Sequence, residues 1–375
     1  MENIPVFKPL LTQDETQACK NVLEVGWLGM GQNVGIFEND LKNIFDLNDR
    51  YVVAVSTGHA ALHLGLLIAG VGPGDEVITP SFNNIADFQA ILATGASIVF
   101  CDIDEQSLCI DLDKAEKLIT PKTKAMIVMD YDCVLCDHDR IKLISDKYNI
   151  RIVHDAAHSI GSKYKGKFIG SFSDICMFSF DPVKTFTCLD GGALIVRSEE
   201  EVKVLHEMRL VGMGQPANVM YQNQRAWTYD VSHLGFRYHM SNMHAAIGSC
   251  QLAKFKQISE SRRKVCRYYN QEIATIPEVI VPQTDFHDIT PFLYYIRVQE
   301  EKRDSLRAYL LEKGVDTGIH WQPGHWFTLF KECRRGDLSV TDKVGKEILS
   351  LPLHSEMTKE FFEIVVNAIK SFYRI

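Results

Sequence analysis

No run of apolar residues in this chain is long and unbroken enough to cross a bilayer, so no membrane anchor is expected. The first ten residues lack a basic stretch followed by an apolar core, and no signal peptide is expected. Positive charge is not in excess: 40 Lys and Arg against 48 Asp and Glu leave a net charge of −8, which argues against a nucleic-acid partner. The 10 cysteines are scattered without disulfide-like spacing, which fits a reducing compartment, so the expected location is the cytoplasm. One C-x-x-C pair exists, Cys133 and Cys136, with His138 and Asp139 close by. A zinc knuckle needs a second such pair, and none is present, so no metal is expected and the pair is read as structural rather than redox-active. Internal repeats and low-complexity linkers are also absent. No G-x-G-x-x-G follows a strand, and a dinucleotide fold is therefore not indicated.

What remains is an ordinary globular composition, 46% apolar and 23% charged, in 375 residues, long enough for two domains. Short apolar strands alternate with helices. Residues 12–24 and 34–45 read as helices on either side of a loop holding Gly26, Gly29 and Gly31. Strands are expected at 51–55, 75–80, 96–102, 125–130, 150–153 and 175–180, with helices around 112–118 and 141–148. Such alternation predicts an α/β domain whose mixed, mainly parallel sheet carries helices on both faces. A helix at 199–208 and a polar loop at 211–223 follow. One long helix at 243–267 then leads to an α+β region, with strands at 292–298 and 315–321 and helices at 304–313 and 361–372. The expected division is a large domain over 1–255, with its first residues packing on the small domain, and a smaller one over 256–375.

Chemistry collects at the ends of two of these strands. Asp155 and His158 follow the first, in R-I-V-H-D-A-A-H; Ser179, Asp181 and Lys184 close the second, in M-F-S-F-D-P-V-K-T. Ligands of parallel sheets sit at the carboxyl ends of strands. A carboxylate, an imidazole, a hydroxyl and an amine gathered there suit Schiff-base chemistry, in which an amine condenses with an aldehyde while a carboxylate keeps a pyridine nitrogen protonated. A second motif, S-T-G-H-A-A-L from Ser56, reads as strand, tight turn and helix start. First-turn N–H groups with the helix dipole behind them form a phosphate site, which would comprise Thr57, Gly58, His59 and Ala60.

The order Asp155-x-x-His158, then F-S-F-x-P-x-K and Gly191-Gly192, resembles the DegT/StrS family of pyridoxal 5'-phosphate (PLP) enzymes, mostly nucleotide-sugar aminotransferases. The resemblance covers nearly the whole chain. It implies fold type I of the PLP-dependent transferases, a homodimer with shared active sites, and PLP as cofactor. It implies Lys184 as the Schiff-base lysine that also moves protons, Asp155 at the pyridine nitrogen, and His158 near the ring's phenolic oxygen or face. Ser179 and the turn from Thr57 to Ala60 would bind the phosphate. The expected substrates are an amino-acid donor, glutamate by family habit, and a nucleotide-linked keto-sugar. The segment from Tyr229 to Asn242 looks more like enzymes acting on 4-keto-6-deoxy sugars, for surface polysaccharide or glycan biosynthesis, than like those acting at C3.

Several positions depart from the family pattern. Asn84 stands where relatives carry an aromatic that stacks on the pyridine ring, so Phe82, another ring or a polar side chain would cover it. Tyr131-Asp132-Cys133 replaces a histidine-glycine loop at the pocket wall. Arg237 takes the place of an asparagine that reaches the phosphate in the neighbouring subunit, and His239 takes that of an arginine. By the same resemblance Trp27, His320 and His325 would border the substrate, and Ser350 to Leu353 is a structural landmark. Two alternatives stay open: a PLP-dependent sugar dehydratase, in which relatives replace the lysine by histidine, and a non-catalytic regulatory or assembly protein of the same fold.

Overall fold

The computed structural model describes residues 3–374. In chain order its strands are β1 (Tyr51–Val55), β2 (Glu76–Pro80), β3 (Ser97–Cys101), β4 (Thr123–Met129), β5 (Arg151–Asp155), β6 (Lys163–Tyr164), β7 (Lys167–Phe168), β8 (Ile175–Ser179) and β9 (Gly192–Val196). In the C-terminal part they are β10 (Val279–Ile280), β11 (Tyr294–Val298), β12 (Arg334–Arg335) and β13 (Ile348–Leu351). Eight of them form one sheet in the order β1-β9-β8-β5-β4-β2-β3-β12. Only β9 runs against both of its neighbours; the inner pairs β8·β5, β5·β4, β4·β2 and β2·β3 are parallel. The strands are buried almost throughout, as a sheet covered on both faces requires. On one face the apolar helix Gly58–Ile68 packs on Val153, Ile175 and Leu194; on the other, helices Gln32–Ile44 and Asn242–Ala253 cover Phe178, Phe180 and Ile195.

The smaller unit is a three-stranded antiparallel sheet, β10-β11-β13. Helices Phe255–Ile273, Glu300–Glu312 and Lys359–Tyr373 pack on it around Tyr269, Tyr294, Leu306 and Val365. Ile4 bridges to Val315 in this unit, while β12 crosses back to pair with Val99 and Phe100 at the edge of the large sheet.

Three local expectations need correction. The helix expected over 243–267 is two helices that part at Lys254. There the Lys254 N–H turns to the Gln251 carbonyl at 3.0 Å, a tighter turn than α, while its amine is held 2.6 Å from Glu15 in the first helix of the chain. No strand forms over 315–321; Val315 and Gly318 make single bridges, and the third strand of the small sheet is β13, which contains Ser350. The polar loop at 211–223 contains a short helix, Ala217–Met220.

Candidate active site

The cavity of about 680 Å³ at the carboxyl ends of β1, β5 and β8 is built by three local devices. After β1, Thr57, its backbone still extended, caps the helix Gly58–Ile68, its hydroxyl accepting from the Ala60 N–H at 2.9 Å. The N–H groups of Gly58 and His59, which a helix start leaves without intrahelical partners, belong to residues lining the cavity. Close approach of β9 makes glycine necessary at position 192, where a Cβ would meet the Thr57 carbonyl oxygen at 2.4 Å and the Gly58 nitrogen at 2.9 Å. Ser179, at the end of β8, stands against the same turn.

After β8 the chain makes a turn closed by Lys184 N–H to Asp181 C=O at 3.0 Å, with the Asp181 carboxylate accepting from Val183 N–H at 3.1 Å. Phe180 and Phe186 stack on either side of it, ring centroids 4.9 Å apart, and fix the turn to the core. Its product is the placement of Lys184, whose amine lies 4.3 Å from the centre of the Phe292 ring. Burial lowers the Lys184 pKa, against the opposing pull of Asp155, Asp132, Asp181 and Asp87.

Asp155, at the end of β5, accepts from the Ala157 N–H at 2.9 Å, and burial raises its pKa against that bond and the charge of Lys184. His158 Nδ1 lies 2.9 Å from an Asp132 oxygen, a distance that suggests an ion pair, yet the two lack hydrogen-bond geometry and both Asp132 oxygens are without a donor. Burial pushes Asp132 well above the carboxylate range and His158 well below the imidazole range, with no hydrogen bond between them to offset desolvation. His320 also lines the cavity, with Nδ1 2.9 Å from Ser350 Oγ and its carbonyl accepting from the Tyr131 hydroxyl. Burial, then the charge of Lys184, takes its pKa down to about 4.

Of the residues expected from sequence, Thr57, Gly58, His59, Asn84, Asp155, His158, Ser179, Lys184 and His320 line this one cavity. Asn84 does so while capping the helix Ile85–Ala93 through Ala86 N–H at 2.9 Å. Phe82 does not line the cavity: it is fully buried and packs on Tyr131. Ala60 stands one step back, its N–H taken by Thr57. Three expected residues are not brought to the cavity of their own chain. Trp27 donates to the Met30 carbonyl at 2.9 Å under the Arg225 guanidinium and lines separate hollows with Asn223. His325 has both ring nitrogens engaged, by Ser81 at 2.8 Å and Asp342 at 3.0 Å. Arg237 is exposed on a stretch that pairs with Leu210. Residues missed are Phe7, Phe292 and Trp321, which line the cavity, and Asp87, buried behind Asp155. The sequence carried one signal for Asp87, a carboxylate in a helix whose other residues, Gln89 aside, are apolar.

These residues fit the expected cofactor. The turn at Thr57 supplies anion-binding N–H groups, Asp155 an acceptor for a ring nitrogen, and Lys184 a desolvated amine, all around one cavity. The fold is shared with solved structures over its whole length. An aminotransferase TlmJ from Streptoalloteichus hindustanus is 29% identical, with 99% of each chain covered and a TM-score of 0.91. Sugar aminotransferase Spr1654 from Streptococcus pneumoniae, in its PMP-form, is 27% identical over 99% of this chain and 98% of that one, with a TM-score of 0.90. Sugar aminotransferase CalS13 from Micromonospora echinospora is 25% identical over 98% and 99%, with a TM-score of 0.89. The sequence model of the DegT/DnrJ/EryC1/StrS aminotransferase family matches residues 9–370, and the chain belongs to that family.

Proposed function

We propose that this aminotransferase uses PLP to move an amino group from an amino acid, glutamate in the first instance, to a nucleotide-linked keto-sugar. The preferred acceptor is a 4-keto-6-deoxy sugar destined for surface polysaccharide or glycan. The observation that carries this reading is the buried Lys184 amine, set in one cavity with Asp155 and the phosphate-type helix start at Gly58. Sugar acceptors are named for two of the similar structures, and the Tyr229 to Asn242 segment favours the C4 keto group. When bound, PLP supplies an aldehyde for the lysine and an electron-accepting ring.

The remaining work falls to side chains. Thr57, Gly58, His59 and Ser179 would hold the phosphate end, and Asp155 would accept from the ring nitrogen. Lys184, once free, would take the proton from the donor's Cα and hold it for return in the transfer. Its burial favours the neutral amine that the first of these steps needs. Lys184 also separates this reading from a dehydratase, whose relatives carry histidine there. We further read the enzyme as a cytoplasmic homodimer. Trp227 and Leu234 are 90% and 78% exposed beside Tyr229 and Val231, an apolar stretch that a second copy would cover near the exposed Arg237. Among the described residues no helix is long and apolar enough to cross a membrane.

The test is the visible spectrum of the protein loaded with PLP, before and after glutamate, followed by single turnovers with a panel of keto-sugar nucleotides. Wild type should show a lysine-bound band that glutamate bleaches. Lys184→Ala should lose that band and slow transamination by about 10²–10⁴-fold or more. Full transamination by Lys184→Ala, or a wild-type band indifferent to every amino donor, would overturn the assignment.

A further inference from the structure

Asp87 lies in the helix Ile85–Ala93 and is fully buried. One carboxyl oxygen accepts from the Asn83 side-chain amide; the other has no conventional donor. The Asp155 carboxyl lies within hydrogen-bonding contact of the Asp87 side chain. Two carboxylates so placed in a dry site cannot both ionise, and a proton between them removes the repulsion and gives the orphan oxygen a partner. Resting on the cofactor reading above, we propose that Asp87 is a positioning residue for Asp155: the two carboxyls hold one proton between them, on Asp87, so that Asp155 faces the cavity as an anion.

The asymmetry of the surroundings sets the side on which the proton rests. Asp155 has the Ala157 N–H at 2.9 Å, the cavity, and the charges of Lys184 and His154 acting on it. Asp87 has the neutral Asn83 amide and a more distant pull from Lys184. Burial, then the neighbouring Asp155 charge, pushes Asp87 well above the carboxylate range. A protonated carboxyl kept neutral so that it can donate is a known device of buried sites. Its consequence here is that Asp155 keeps its negative charge without Lys184 having to carry a compensating one.

A purely structural role, in which Asp87 only accepts from Asn83, needs no proton, and this separates the two accounts. The cofactor-free protein is examined first, by infrared difference spectroscopy of wild type against Asp87→Asn near pH 7. The difference should contain one carbonyl stretch of a protonated carboxyl, shifted in D₂O; its absence overturns the proposal. Binding of PLP, followed by tryptophan fluorescence, comes second. Asp87→Asn can donate its amide N–H to Asp155 and should bind about as tightly as wild type, whereas Asp87→Val, with no donor, should lose about tenfold or more. Equal loss in both variants overturns the proposal, and Asp87→Asn keeps the infrared test decisive if Asp87→Val does not fold. Failure of wild type to bind PLP at all would instead sink the cofactor reading, and the infrared band, measured without cofactor, would still decide the shared proton.

Discussion

Two buried histidine–aspartate groups stand almost side by side, and they are opposites. Asp130 accepts from His138 Nε2 at 3.0 Å, His154 Nε2 at 2.7 Å, Ser159 Oγ at 2.7 Å and the Cys136 N–H at 2.9 Å. Asp132, just beyond it in the chain, has no donor on either oxygen although His158 lies against it. Burial would raise both carboxyls. At Asp130 the two histidines and their hydrogen bonds override it and hold the group well below the carboxylate range; at Asp132 nothing does, and it stays well above. The ligand-type atoms of Asp130, His138 and His154 lie within 4.8 Å of one another, close enough for a metal, but each is engaged by hydrogen bonds inside the group. The satisfied group reads as architecture. Of the unsatisfied pair, His158 lines the cavity that holds Lys184, and Asp132 is buried behind it.

The contrast breaks most directly at its satisfied end. Asp130→Ala strands two imidazoles, a hydroxyl and an N–H in the interior, and removing one partner of such a buried set costs about 3–5 kcal/mol. The urea midpoint of the cofactor-free protein should fall accordingly. The sign in pH follows from the depressed pKa: the contribution of Asp130 is fully present above its unfolded value, about 3.9, and is lost as pH falls through the folded value. A variant as stable as wild type at neutral pH would mean that the group is not architectural.

Asp132 predicts the reverse, with a smaller effect. Its raised pKa means that whatever it contributes is present below about pH 3.9 and is lost as pH rises through its folded value. Asp132→Asn should therefore match wild type near pH 4 and exceed it by about 1–3 kcal/mol in alkaline solution, the cost of leaving a buried group unpaired. Urea titrations at the two pH values check this. Equal stability at both would show that Asp132 has a partner after all.

How far the chain could be read without its structure follows the same divide. Strands β1, β5 and β8 and the groups at their ends were legible, because each pairs a short apolar run with polar residues a few positions on. Lys184, Asp155 and Thr57 therefore reach the cavity where they were expected. Partnerships through space were not legible. The break at Lys254 depends on Glu15, and the role of Asp87 on Asp155, contacts between segments far apart in the chain. Nor did C-x-x-C spacing around Cys133 show its use: both thiols are free and buried, donating to different carbonyls, Leu293 at 3.4 Å and Met129 at 3.2 Å. The adjacent His138 belongs instead with Asp130 and His154, whose sequence positions gave no common motif. Trp27 and His325 were expected at the substrate by analogy of position alone, and their hydrogen bonds hold each outside the cavity of their own chain.

The finest test of the divide is at its edge. Ser173 Oγ lies 2.9 Å from His154 Nδ1, the nitrogen that Asp130 does not use. Asp130 holds Nε2 of the same ring, so the serine hydroxyl and the carboxylate together fix the orientation of the imidazole. Ser173→Ala removes one neutral hydrogen bond at a partly exposed position, where water from the adjoining cavity of about 330 Å³ can replace the hydroxyl. The expected loss is about 1 kcal/mol or less in urea unfolding, with PLP affinity unchanged, because Ser173 does not line the cavity of Lys184. His154 and Asp155 are neighbours on β5 whose side chains serve the two groups separately. A loss of cofactor affinity in Ser173→Ala would show that β5 transmits the hydrogen bonds of one group to the other, and the satisfied cluster would then be part of the active site's own support.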